Sequence, residues 1–321
     1  MVWVKRLVLF VLPVLWSLSA QAEPEKLRVG YAAGMNGQIV TAVDKADLAK
    51  QHNLNVEYVF FQNGPPMMEA FAAGQLDIAI NSLMPLTTYA SRLPGSAIVV
   101  SNLGSSTYAL LVNANSPAKD ITDLKGKKIA VSFGTDSHLD LLISLTQAGI
   151  DPTSGVELLN VQPPELPVAL EKGAADAIVI RQPLVLKLQQ SAGAKVLKSW
   201  PHRFLVMARA QVFQTRPQVV NQFLDSLGDA VSYIRANPDQ AAAWFGEQLR
   251  VDASVVKQVA QENPILADPA HAALGIPQDL HDITANWVQS ALKWGLIKTP
   301  VDVDLLFPPK GLRYAPAKGA S

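Results

Sequence analysis

The feature that most constrains the fold of this chain is a regular alternation of short apolar runs with segments of helical periodicity. The apolar runs have strand length and form two series, at residues 27–31, 54–61, 77–80 and 97–100 and then at residues 128–132, 156–161 and 177–180. In the segments between these runs, apolar residues recur every three or four positions, which is the period of a helix. This alternation predicts an α/β fold, in which helices cover both faces of a parallel sheet.

The first 22 residues have the pattern of a secretory signal peptide. Lys5 and Arg6 give a positive start, residues 7–15 are apolar, and residues 20–22 form a small-residue cleavage pattern. The apolar run is short for a membrane span. We therefore expect cleavage before Glu23 and export of the mature chain to the periplasm.

The composition favours a globular protein that is held together by its apolar core. The 321 residues include no cysteine, 27 basic and 27 acidic residues, and 49% of them are hydrophobic. This is enough apolar material for a large core and for two domains. Without cysteine, no disulfide can hold the exported fold and no lipid can be attached after the cleavage site. The sequence has no basic stripe of the kind that would indicate a nucleic-acid partner.

The most informative local motif joins a predicted strand to a predicted helix. The strand is followed by Phe133-Gly134-Thr135-Asp136-Ser137-His138, a glycine turn with hydroxyl groups. The first amides of a helix lack partners and carry partial positive charge, so such a turn is suited to an anion. The spacing of Ser137 and Asp140 predicts a capping box at the helix start. Taken alone, the motif favours an ordinary connection in which Thr135 and Ser137 only cap the helix.

The sequence lacks the motifs of the common enzyme classes with this kind of fold. Gly30, Gly34 and Gly37 follow the first predicted strand, but their spacing is not that of a dinucleotide-binding loop. No Walker lysine loop, nucleophile-elbow serine or zinc-binding H-E-x-x-H motif occurs, and the five histidines are scattered. We therefore expect a protein that is not an enzyme and that binds no metal ion or other cofactor.

Several short motifs follow one another in a fixed order along the chain. They include Gly64-Pro65-Pro66, Gly74-Gln75-Leu76-Asp77, Thr122-Asp123-Leu124-Lys125-Gly126, Gly134-Thr135-Asp136-Ser137-His138 and Asn237-Pro238-Asp239. This ordered set resembles the sulfonate, taurine and nitrate group of periplasmic substrate-binding proteins of ABC transporters. The likeness spans nearly all of the mature chain and is greatest to binders of aliphatic sulfonates.

The resemblance implies a two-lobed periplasmic-binding-protein fold of type II, with two crossover strands as the hinge. The crossing strands would be residues 108–112 and 204–208. Lobe 1 would comprise residues 23–112 and, in a helical second part with a loose tail, residues 208–321; lobe 2 would be residues 113–207. The implied partners are a small anionic solute and an inner-membrane ABC permease, and we expect a monomer.

The resemblance and the predicted cleft edge together give eight candidate ligand-binding residues. They are Asn36, Gly37, Ser82, Thr107, Thr135, Ser137, His138 and Arg181. Asn36 and Gly37 could equally be a helix cap, Thr107 could form a turn, and His138 could be a surface or capping residue.

Arg181 and Gln182 depart from the family pattern, because relatives often have a tryptophan and an aspartate before the proline that corresponds to Pro183. A guanidinium at the cleft end of a strand suits a sulfonate, sulfate ester, nitrate or carboxylate. The loss of the acid argues against an amine-bearing ligand such as taurine. The alternative is that Arg181 points outward and pairs with an acid of lobe 2.

These observations predict a periplasmic protein that delivers a sulfonate or sulfate-ester-like solute to an ABC importer. The alternatives are a binder of nitrate, another oxyanion or a carboxylate, and a solute sensor domain. A distant alternative is an enzyme like the thiamine-pyrimidine synthases, which are cytosolic and use a cysteine-rich motif that this chain lacks.

Overall fold

The computed structural model describes residues 23–268 and 274–308. The predicted signal peptide lies outside the described residues. In the described residues, eight strands form one sheet. The strands are β1 (Glu25–Ala32), β2 (Leu54–Phe61), β3 (Ile78–Asn81), β4 (Ala97–Val112), β5 (Lys128–Val131), β6 (Glu157–Asn160), β7 (Ala177–Arg181) and β8 (Lys195–Arg209).

Helices connect these strands and make up most of the chain after β8. They are α1 (Asn36–Lys45), α2 (Leu48–Gln51), α3 (Gly64–Ala72), α4 (Leu83–Arg92), α5 (Asp136–Gln147), α6 (Leu166–Glu171), α7 (Leu184–Ala192), α8 (Ala210–Thr215), α9 (Pro217–Ala236), α10 (Pro238–Leu249), α11 (Ala253–Ala260), α12 (Pro264–Ala267) and α13 (Leu280–Lys293). None of the described helices combines the length and the apolar character that crossing a bilayer requires.

The sheet consists of two parallel groups joined by two long antiparallel strands. Its order is β2-β1-β3-β8-β4-β7-β5-β6. Strand β1 lies parallel to β2 and β3, and β5 lies parallel to β6 and β7. Strands β4 and β8 pair with each other along their length, while β8 also pairs with β3 and β4 with β7. The predicted α/β class is confirmed, and we call the groups β1–β3 and β5–β7 the first and second half.

The two crossing strands are longer than the sequence predicts. The apolar runs at residues 97–100 and 108–112 belong to one 16-residue strand, β4, and β8 spans 15 residues. The polar residues between the two runs hide the strand in the sequence. Register shifts between Val99 and Ser101 and between Asn102 and Ser105 keep this polar stretch paired with β8.

Both halves use an aspartate in the same way to hold the edge of the parallel strands. The Asp77 carboxylate accepts a hydrogen bond from the Arg28 amide at 2.9 Å, and the Asp77 amide donates to the Arg28 carbonyl at 2.8 Å. Asp176 makes the same two bonds to the backbone of Lys128, both at 2.9 Å. The two halves therefore repeat the same βα arrangement.

Helices cover both faces of each half. In the first half, apolar side chains of α1, α9, α10 and α11 pack on one face of β1 and β3, and those of α3 and α4 pack on the other. In the second half, α5 covers one face, and α6 and α7 cover the other. The buried apolar surface of these layers is the main favourable term in the stability of the fold.

Two glycines with similar backbones allow a test of close packing at the bend of β4. Gly104 has φ +78° and a Cβ there would lie 1.9 Å from Oδ1 of Asn263, whereas Gly126 has φ +75° and nothing within 4 Å of its Cβ position. Gly126→Ala should lower the free energy of unfolding by about 1–2 kcal/mol, the cost of a left-handed alanine. Gly104→Ala should cost about 1–3 kcal/mol more, because Asn263 must move. Urea unfolding measures both values, and equal losses would contradict the predicted clash.

Candidate functional site

A cavity lies between the two halves, where the carboxyl ends of the parallel strands meet β4 and β8. Its volume is about 50 Å³, room for a few water molecules. Both halves contribute to its lining. Five of the eight candidate residues line it: Asn36, Ser82, Thr135, Ser137 and Arg181. Ligand crevices of α/β sheets occur at this place in the fold.

The first-half wall is set by the start of α1. Asn36 is buried, and its Nδ2 donates to the carbonyl oxygen of Ile80 at the end of β3, at 3.3 Å. Gly37 does not line the cavity. A Cβ on Gly37 would lie 2.6 Å from Cε2 of Phe245, so this glycine allows α1 to approach α10 closely.

The second-half wall is the turn between β5 and α5. Thr135 is the residue before the helix, and its hydroxyl donates to the carbonyl oxygen of Ser132 at 2.6 Å. The hydroxyls of Thr135 and Ser137 lie 2.9 Å apart. Both side chains therefore present hydroxyls to the cavity from one turn.

The predicted capping box of Ser137 and Asp140 is wrong. The helix begins at Asp136, so Ser137 lies inside the first turn. The carboxylate of Asp140 accepts a hydrogen bond from the hydroxyl of Tyr108 instead of a backbone amide. Because Tyr108 is buried, its phenol requires a partner, and Asp140 provides it.

The carboxyl of Asp136, which is not among the eight candidate residues, connects the two walls. Its Oδ1 accepts hydrogen bonds from the Ser82 hydroxyl at 2.9 Å and from the Met84 amide at 2.7 Å, both at the start of α4 in the first half. Burial raises the pKa of Asp136 to about 7, although the bonds from Met84 and Ser82 oppose that shift. The sequence signal that could have indicated Asp136 is its position between the candidates Thr135 and Ser137.

Arg181 reaches from the second half across the cavity to the first. Its Nε donates to the carbonyl oxygen of Ala33 at 2.8 Å, and a terminal nitrogen donates to that of Gln62. It therefore does not take the alternative outward orientation. Burial lowers the pKa of Arg181 to about 10, so the guanidinium remains charged at neutral pH.

His202 also lines the cavity, and no motif in the sequence indicated it. Its ring makes edge contacts with Tyr108 and Phe204. Burial and then the charge of Arg181 lower the pKa of His202 to about 3, so the imidazole is neutral at neutral pH. Arg181 is thus the cation of this cavity lining.

The contacts of Glu262 explain why Gln182 carries an amide where relatives often have an aspartate. The Glu262 carboxylate accepts hydrogen bonds from Ser106 at 3.2 Å, Thr107 at 2.9 Å and Gln182 at 2.7 Å. An acid at position 182 would repel Glu262, whereas the amide of Gln182 donates to it. The hydroxyl of Thr107 is used in this cluster, and Thr107 does not line the cavity.

His138 is buried in the first turn of α5 and does not line the cavity. Its ring stacks on that of Phe133, with the centroids 4.2 Å apart and an interplanar angle of 6°. Burial lowers the pKa of His138 to about 4. For Gly37, Thr107 and His138, ligand contact stays a prediction from the resemblance. Among the residues with described positions, no cluster of histidine and acidic side chains could hold a metal ion.

A model of the NMT1-like family matches residues 20–245. The chain belongs to the NMT1-like family. An aliphatic sulfonates-binding protein of Escherichia coli (strain K12) is 27% identical to this NMT1-like chain over 263 residues, which cover 78% of this chain and 79% of the relative. The taurine-binding periplasmic protein of the same strain is 28% identical over 242 residues, with coverage of 71% and 72%.

Solved structures show the fold of this NMT1-like chain. The alkanesulfonate-binding protein SsuA from Xanthomonas axonopodis pv. citri, bound to MOPS, superposes with a TM-score of 0.78 at 19% identity, covering 89% of this chain and 99% of that one. The predicted periplasmic-binding-protein fold and the sequence resemblance are both confirmed. The desulfurization enzyme DszB also has this fold, with a TM-score of 0.64 at 16% identity, covering 89% of this chain and 97% of that one. The relatives named as binding proteins agree with the prediction of a binder rather than an enzyme.

Proposed function

We propose that this protein is the periplasmic solute-binding component of an ABC importer and that it captures a small oxyanion, a sulfonate or a sulfate ester. The observation that carries the proposal is the charged guanidinium of Arg181 in a cavity lined by hydroxyls from both halves. A planar guanidinium can hold two oxygens of such a head group at once. The relatives named as sulfonate-binding and taurine-binding proteins support the same class of solute.

The proposal includes two lobes that close on the solute, with lobe 1 formed by residues 23–112 and 208–321 and lobe 2 by residues 113–207. Direct hydrogen bonds between the two halves support a closed form. The Nδ2 atom of Asn63 donates to Ser132 at 3.2 Å and to Gln162 at 2.8 Å. A solute that touches both lobes only in the closed form shifts the population toward it, and the permease would recognise that form.

The energies are sufficient for such a shift. Moving a two-state equilibrium from almost fully open to almost fully closed needs about 5.5 kcal/mol of differential binding. Charge-assisted hydrogen bonds contribute about 1.5–3 kcal/mol each. Two such bonds from the Arg181 guanidinium would supply about 3–6 kcal/mol, which is the amount required. The hydroxyls of Ser82, Thr135 and Ser137 would add to it by turning from their present acceptors to the head group.

The test is a solute panel on the mature protein, read by thermal shift and then by titration calorimetry. The panel contains methanesulfonate, ethanesulfonate, methyl sulfate, nitrate, acetate and taurine. We expect the sulfonates or methyl sulfate to stabilise the protein, by about 2.7 kcal/mol at a hundred times Kd, and mass spectrometry to recover them unchanged. A preference for nitrate or acetate would move the proposal to another anion. The absence of binding, or chemical turnover of a solute, would refute it.

A further inference from the structure

A buried carboxyl shares the cavity with the guanidinium of Arg181. Asp136 is 4% exposed and lines this cavity. Its Oδ1 already accepts the bonds from Ser82 and Met84, which are donors that an anionic head group would otherwise use at the start of α4. The Asp136 carboxyl therefore already occupies the Ser82 and Met84 donors that an incoming anion could use.

Few charges can offset an ionised Asp136. On its own helix, the nearby Asp140 has the same sign and opposes ionisation. Tyr108 of β4 is neutral, because burial raises its pKa well above its usual value, and α4 presents only a hydroxyl and backbone amides. Arg203 and Lys198 of β8 act on Asp140, whose pKa burial raises to about 6. Arg181 is the cation that lines the cavity.

A bound anion would add a second negative charge beside Asp136, in a site with little water to screen it. The protonated carboxyl removes that repulsion and still accepts the bonds from α4. We propose that Asp136 binds one proton when the protein captures an anionic solute. When Asp136 is ionised, its charge opposes binding of the anion. The inference rests on the proposed function, since it concerns the same cavity.

The expected signature is a pH-dependent affinity. Because the pKa of Asp136 is about 7, affinity should be nearly constant below about pH 6 and should fall about tenfold per pH unit above about pH 7. The probe is ethanesulfonate, whose head group stays ionised over this range. Calorimetry in buffers of different protonation enthalpy should give an uptake of roughly half a proton at about pH 7 and nearly one proton at about pH 8.

Matched variants assign the proton to one residue. Asp136→Asn keeps an oxygen that can accept from Ser82 and Met84 but cannot titrate, so proton uptake should vanish and binding above about pH 7 should tighten. Asp140→Asn makes the same change one helical turn away and should retain the uptake. His202→Gln tests the histidine of the cavity lining and should also retain the proton uptake. Uptake that persists in Asp136→Asn, proton release, or a flat affinity in the unmodified protein would overturn the inference.

A measurement without solute separates this inference from the proposed function. In infrared difference spectra of the solute-free protein, a carboxyl band should titrate near pH 7 and be missing in Asp136→Asn. If the band titrates but no anion of the panel binds, the proposed function is wrong and this inference fails with it. If ethanesulfonate binds without proton uptake and no such band titrates, the function stands and the inference is wrong.

Discussion

Arg181→Ala is expected to weaken binding of ethanesulfonate by more than about tenfold, the scale of a lost buried charge pair. The variant removes the cation of the cavity lining and the donors that could hold two sulfonate oxygens. It also removes the two hydrogen bonds that join Arg181 to the carbonyls of Ala33 and Gln62 in the other half. Both losses act in the same direction, because the second also destabilises the closed form. Titration calorimetry measures the change in Kd.

Two further variants make the Arg181 result specific. Arg181→Lys keeps the charge but not the planar fork, so its affinity should lie between those of the unmodified protein and Arg181→Ala. Arg92→Ala removes an exposed arginine at the end of α4 and should leave Kd unchanged. An unchanged Kd in Arg181→Ala would mean that the anion does not bind at this guanidinium.

The stability of Asp136→Asn relative to the unmodified protein is expected to rise by about 4 kcal/mol between about pH 4 and pH 8. The folded-state pKa of Asp136 is about 7, against an ordinary value of 3.8. In this interval the folded protein holds a proton that the unfolded chain has released, so the stability contributed by Asp136 is lost as the pH rises. The asparagine variant does not ionise and avoids the loss.

The stability of Asp136→Asn must be compared with that of the unmodified protein at each pH. Other titratable groups oppose the effect of Asp136 on the total free energy of unfolding. The pKa values of His138 and His202 are lowered to about 4 and about 3, so these buried imidazoles favour unfolding as the pH falls. Asp140 shifts in the same direction as Asp136. The unmodified protein should therefore show a shallow pH profile, while urea unfolding of the pair shows the slope. A difference that is independent of pH would mean that Asp136 is solvated in the folded protein.

The sequence predicted those parts of the fold that leave a local apolar signal. Strands β1, β3, β5 and β7 coincide with apolar runs, because both of their faces are covered by helices. The full length of β4 could not be predicted. Its polar middle, from Ser101 to Thr107, is ordered by pairing with β8 rather than by its own composition.

The candidate site was predictable where chemistry and position in a motif coincide. Thr135 and Ser137 follow a strand and begin a helix, so the turn itself indicated them. Asp136 was missed because its importance comes from burial and from two donors at the start of α4, Ser82 and Met84, which lie 54 and 52 residues away in sequence. Glu262, 80 residues after Gln182, carries no local signal of its contacts with β4. Contacts of this kind become visible only in three dimensions.

The sheet order has a consequence for the folding of this protein during its synthesis. Ile78 of β3 has Ala208 of β8 as its neighbour, and β4 depends on β8 along nearly its whole length. A nascent chain that ends before β8 lacks one neighbour of β3 and one neighbour of β4, so the eight-stranded sheet is complete only after about two thirds of the protein has been synthesised. The full sheet therefore forms late in synthesis, an order that is compatible with the export predicted from the first 22 residues.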